Sequence, residues 1–114
     1  SQYAKPVVIR GDLKGANRAL HPVIRTHPDT GRKSIYVNPG FTSHLDGFES
    51  KESDSLLKFL FGHITQPQYI YRQIWQEHDV IMWDNRIMMH FAISDYGHEP
   101  RYLERTTLIG ERPT

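Results

Sequence analysis

The run from Trp83 to Tyr96, WDNRIMMHFAISDY, places one histidine among methionines and a phenylalanine. An imidazole in an apolar strand has two readings. The commoner is a core histidine satisfied by a backbone carbonyl. The other is a metal ligand, because neutral imidazole is the most frequent protein ligand and a polar group facing a barrel interior needs a partner. On an extended chain Met88, His90 and Ala92 share one face, and Ile87, Met89, Phe91 and Ile93 share the other. Arg101 and Arg105, four positions apart, also project from a single strand face. They read either as a solvated edge with snorkelling stems or as two anion clamps, since the guanidinium fork matches carboxylate or sulfonate oxygens. If the strands bearing His90 and Arg101 are neighbours, a metal and two anion sites would line one cavity. Phe41, in a Pro-Gly loop, either caps the core or walls a pocket. His21, His27 and His44 are weaker ligand candidates, and His27-Pro28 reads as loop punctuation. No Gly-rich phosphate loop, nucleophile elbow or supported Ser/His/Asp arrangement is found.

The elements that would position these groups follow from periodicity. Two short β-branched or aromatic runs, 21–25 and 34–37, flank Asp29-Thr30-Gly31 and predict a hairpin. Leu56, Leu57, Leu60, Phe61 and Ile64 recur at helical spacing. The spacing predicts one helix over 50–65, with Ser50 as N-cap and Pro67 just beyond its end. Behind it, 69–75, 80–83, 86–92 and 101–109 read as strands separated by polar turns. The fold class is therefore mainly β with one helix, in the manner of an antiparallel sandwich or barrel.

Size and charge narrow the function. A chain of 114 residues holds at most one domain with a thin core. Its 14 basic and 13 acidic side chains leave a net charge of +1 without a basic face, which predicts no nucleic-acid partner. The lack of cysteine removes disulfides and thiolate sites, leaving His, Asp and Glu as metal ligands. No apolar run reaches the length of a membrane span, so the chain is expected to be soluble and cytoplasmic, with no membrane partner.

Taken together, several segments resemble the C-terminal part of the taurine dioxygenase family of iron(II)- and 2-oxoglutarate-dependent dioxygenases. They are HPVIRTHPDTGRKSIYVN at 21–38, GFTSHL at 40–45, ESDSLLKFLFGHIT at 52–65, WDNRIMMHFAISDY at 83–96 and RYLERTTLIGERP at 101–113. The resemblance covers residues 19–113 and keeps the family's motif order. It implies a double-stranded β-helix, or jelly roll, of which residues 1–114 are a single partial domain, incomplete as given. It implies that His90 is the distal histidine of a two-His, one-carboxylate iron site, that Arg101 pairs with the far carboxylate of 2-oxoglutarate, and that Arg105 holds the substrate anion. Phe41 would wall the substrate pocket and Trp83 would lie close to the iron.

The implied cofactors are Fe(II), 2-oxoglutarate and O2. The implied reaction hydroxylates a small anionic substrate while 2-oxoglutarate becomes succinate and CO2; beside a sulfonate, hydroxylation releases sulfite and an aldehyde. The family's other two ligands stand in an upstream His-x-Asp or His-x-Glu motif, and no such motif is expected within these 114 residues. An alkanesulfonate such as taurine is the first substrate. Glu104 stands where taurine enzymes commonly carry His, which keeps alkyl sulfate esters and aryloxyalkanoates open. A non-catalytic β-domain that binds a partner through an open sheet edge is the alternative from a different class, and a homo-oligomer is compatible with either.

Overall fold

The computed structural model describes residues 19–114 in full and residues 7–10 as backbone. Five strands and one long helix follow in order: β1 (Val7–Arg10), β2 (Ala19–Pro22), β3 (Ile24–Thr26), β4 (Lys33–Ile35), β5 (Thr42–Asp46) and α1 (Ser50–Ile64), followed by a single 3-10 turn at Pro67–Tyr69. The described secondary structure is thus mainly strands with one helix, as the sequence predicts.

β1 is the central strand of a three-stranded sheet in the order β2-β1-β5, antiparallel to both neighbours. Its register against β5 shifts between Ile9 and Arg10, a bulge that ends the regular pairing. β3 and β4 form a separate hairpin with Ile24 opposite Ile35 and Thr26 opposite Lys33. The hairpin arises where turn chemistry predicts it: Gly31 takes a positive φ of 71°, which a side-chain-bearing residue would resist. His21 and Pro22 belong to β2 in the other sheet rather than to the hairpin strand.

α1 begins one residue earlier than an N-cap at Ser50 would place it. Glu49, in extended conformation, is the N-cap and makes no side-chain cap bond, and Ser50 is the first helical residue. The helix lays Leu57 into a core with Val23, Val37 and Leu45, all under 7% exposed, and Ile35, Leu60, Phe61 and Ile64 pack against it. Ser53, 1% exposed, accepts a 2.8 Å hydrogen bond from the Leu45 amide, tying α1 to β5.

The strands predicted at 69–75, 80–83, 86–92 and 101–109 are not formed: after Tyr69 the described chain is extended or turning without a ladder. Alternating side chains mark a surface built to be half buried, but a strand exists only with a neighbouring backbone to accept its hydrogen bonds. No described strand lies alongside to do so. The apolar members of the pattern stay in solvent, with Val80 95%, Met82 92%, Phe91 87% and Leu108 88% exposed. The sheet is consequently not closed.

Candidate active site

The strongest polar constellation centres on the turn after Trp83. The Asp84 carboxylate accepts hydrogen bonds from the backbone N–H of Arg86 at 2.9 Å, from Arg86 Nε at 2.9 Å and Nη2 at 2.9 Å, and from His27 Nε2 at 3.0 Å. Its carbonyl accepts the amides of Ile87 at 3.2 Å and Met88 at 3.0 Å. The aspartate therefore closes the turn on both its side-chain and main-chain oxygens, which is why an Asp-Asn pair is found there. His27 is itself held inside the β3–β4 loop. Its Nδ1 faces the amides of Asp29 and Thr30 at 3.2 and 3.3 Å, its own amide bonds the Arg32 carbonyl at 2.8 Å, and its carbonyl accepts the Gly31 amide at 2.9 Å. Amides can only donate, so Nδ1 accepts and Nε2 carries the hydrogen that reaches Asp84.

Arg86 extends this clasp to Glu111 at 3.2 Å and Asp29 at 3.3 Å, so one guanidinium ties the hairpin loop, the Trp83–Asn85 turn and the C-terminal segment together. Paired first with the Arg86 side chain, then with His27 and the Arg86 amide, Asp84 is held well below the usual carboxylate range. Arg86 is raised above its ordinary value chiefly by Asp84 and then Glu111, and Glu111 is lowered by its own backbone N–H and by Arg86. A groove of about 260 Å³ beside the clasp is lined by His21, Arg25, Tyr36, Arg86 and Glu111 among others. Arg25 is buried there over the Tyr36 ring, 4.8 Å from its centroid.

His90 lies against the half-buried Trp83, with ring centroids 5.0 Å apart at 49°. The Trp83 indole N–H donates to Asn85 Oδ1 at 2.7 Å, so the turn orients the indole from within. Neither ring nitrogen of His90 is engaged by a hydrogen bond from a described residue, so the imidazole fits the role of a nitrogen ligand. It supplies a single donor: among the described residues no three His, Asp or Glu side chains gather as a metal site.

Arg101 is exposed, its guanidinium 5.4 Å from the Tyr96 ring centroid, and Arg105 is exposed. Neither makes a described hydrogen bond, ion pair or ring contact with His90. Phe41 is 51% exposed at the tip of a loop closed by Asn38, whose Oδ1 takes the Gly40 amide at 2.8 Å and whose carbonyl takes the Thr42 amide at 2.8 Å. The structure thus joins Trp83 to His90 in one ring contact, while Arg101, Arg105 and Phe41 are exposed.

One expectation needs correcting on the sequence itself. His-x-Asp triplets do occur in this chain, at His27-Pro28-Asp29 and His44-Leu45-Asp46. Neither assembles with His90 into a described three-ligand group. His27 spends both ring nitrogens on the loop and on Asp84, and Asp29 pairs with Arg86. His44, on β5, bonds Ser43 Oγ through Nδ1 at 3.1 Å. The links from His27 to Asp84 and from Arg86 to Glu111 span 57 and 25 positions of the chain, a distance no local pattern reports.

Comparison with known proteins agrees with the motif order. Residues 10–107 match the family model described as taurine catabolism dioxygenase TauD, TfdA family. An alkylsulfatase of Acinetobacter baylyi is 43% identical over 94 residues, covering 82% of this chain and 29% of that protein. A 2,4-dichlorophenoxyacetate dioxygenase of Burkholderia sp. (strain RASC), alpha-ketoglutarate-dependent, is 38% identical over 91 residues, covering 80% of this chain and 30% of that protein. The crystal structure of a taurine dioxygenase from Burkholderia xenovorans superposes with a TM-score of 0.59 at 31% identity, over 62% of this chain and 26% of that one. This chain spans less than a third of the length of each of them. With 10–107 matched, and His90, Arg101 and Arg105 all inside that span, the chain belongs to the taurine catabolism dioxygenase TauD, TfdA family.

Proposed function

We propose that the protein containing this chain is an iron(II)- and 2-oxoglutarate-dependent dioxygenase that hydroxylates a small anionic substrate, an alkanesulfonate such as taurine first. Residues 1–114 are read as the C-terminal part of its jelly-roll domain. The carrying observation is the family match over residues 10–107, which contains His90, Arg101 and Arg105 in one run.

His90 would supply one nitrogen ligand to iron, with the remaining ligands from outside the described residues. Bound iron(II), with 2-oxoglutarate and O2, supplies the oxidising chemistry. The side chains of this chain bind and orient: Arg101 fixes the distal carboxylate of 2-oxoglutarate, and Arg105 grips the substrate anion so that a defined carbon faces the metal. Trp83 packs beside the ligand, and Phe41 gives the substrate an apolar wall.

The substrate class is chosen by Arg105 and its surroundings rather than by overall likeness, because relatives named an alkylsulfatase and a 2,4-dichlorophenoxyacetate dioxygenase stand at similar identity, 43% and 38%. A screen of O2 and 2-oxoglutarate consumption by the intact protein against taurine, longer sulfonates, alkyl sulfates and aryloxyacetates tests both levels. Substrate-stimulated 2-oxoglutarate decay with sulfite release selects the sulfonate. Sulfate release selects the ester, and no stimulation by any anion refutes the proposal.

A further inference from the structure

We propose that the His27–Asp84–Arg86 clasp is a positioning device for the His90 imidazole, acting through Trp83; this rests on reading His90 as a metal ligand. A metal-bound histidine is ordinarily aimed by a hydrogen bond to its second nitrogen. His90 has no such bond among the described residues, and the residues around it form neither helix nor strand. The ring contact His90 makes is with the Trp83 indole, 5.0 Å away. The indole is set by Asn85 at 2.7 Å, within a turn that Asp84 closes with both its carboxylate and its carbonyl.

That turn is referred to the rest of the fold by His27, whose Nδ1 is held by the hairpin-loop amides while Nε2 reaches Asp84, and by Arg86, which reaches Asp29 and Glu111. The path from hairpin to imidazole is therefore unbroken: loop to His27, His27 to Asp84, Asp84 to the turn, indole to His90. Loosening any link leaves the donor atom present but lets its ring rotate away from the metal.

The test uses the intact protein, metal-free and anaerobic, titrated with cobalt(II), whose visible bands report coordination geometry. Asp84→Asn keeps the shape of the turn and loses the charged pair, His27→Gln unpins the anchor, and Asn85→Ala frees the indole. Each should raise the cobalt dissociation constant about tenfold and alter the visible bands, and His27→Gln with Asp84→Asn combined should cost no more than the larger single effect. His90→Ala serves as reference. If it abolishes tight binding while Asp84→Asn and Asn85→Ala bind as wild type, the clasp proposal is overturned and the ligand reading stands. If His90→Ala binds cobalt as tightly as wild type, the ligand reading fails and the clasp with it. A lowered melting temperature with unchanged cobalt affinity in the folded protein also overturns the proposal. Should Asp84→Asn not fold, Asn85→Ala and Trp83→Phe decide, and wild-type affinity in both refutes it.

Discussion

Replacing Ser53 by alanine removes one hydroxyl and should cost more than any other single-atom change in α1. Ser53 is 1% exposed and its Oγ is the acceptor for the Leu45 amide at 2.8 Å, inside the contact between α1 and β5. Leu45 is 2% exposed, so its amide lies away from bulk water. A buried amide left without a partner costs about 1–3 kcal/mol. Alanine's better helix propensity returns roughly 0.5 kcal/mol, which leaves a net loss of about 0.5–2.5 kcal/mol. Ser55→Ala is the internal control. Its hydroxyl bonds the Lys51 carbonyl at 2.9 Å on the exposed side of the same helix, and its removal should stay within about 0.5 kcal/mol of wild type. Urea unfolding of the intact protein with equal m-values measures both. Equal midpoints for Ser53→Ala and Ser55→Ala would refute the argument that this hydroxyl locks helix to strand.

Three further outcomes concern the site. Arg101→Ala should weaken 2-oxoglutarate binding by about 2–5 kcal/mol if the contact is desolvated in the complex, and calorimetry showing unchanged affinity would remove that role. Arg105→Ala should raise the KM for the anionic substrate while 2-oxoglutarate decay continues uncoupled from product, an outcome checked by comparing succinate with product formed. The Asp84 carboxyl is depressed in the folded protein by Arg86 and His27, so its stabilising share is complete above the ordinary carboxylate value of about pH 4 and is lost as pH falls through the folded value. The stability gap between wild type and Asp84→Asn should therefore be constant near neutrality and shrink in acid, and melts between neutral pH and pH 3 that keep the gap constant would contradict this sign.

Local pattern made the helix, the hairpin turn at Gly31 and the turn at Asp84-Asn85 legible, because each depends on neighbours within a few positions: the apolar stripe, the residue that accepts positive φ, the side chain that caps its own backbone. The same pattern overstated the region after Tyr69. Its alternation records which faces are meant to be covered, and among the described residues nothing covers them. Two His-x-Asp triplets stand in the letters against the expectation of none, and only the fold shows His27 consumed by its loop and by Asp84.

By itself the sequence determined the helical stripe, the turns and the run of His90, Arg101 and Arg105 that the family match encloses, since these are matters of residue type and spacing. Tertiary structure alone decided that Arg86 joins Asp29 and Glu111 and that His27 reaches Asp84. The physical reason is chain separation: a guanidinium selects its carboxylates by proximity in space, and that proximity is created by the hairpin and the turn meeting, which no short window of sequence encodes.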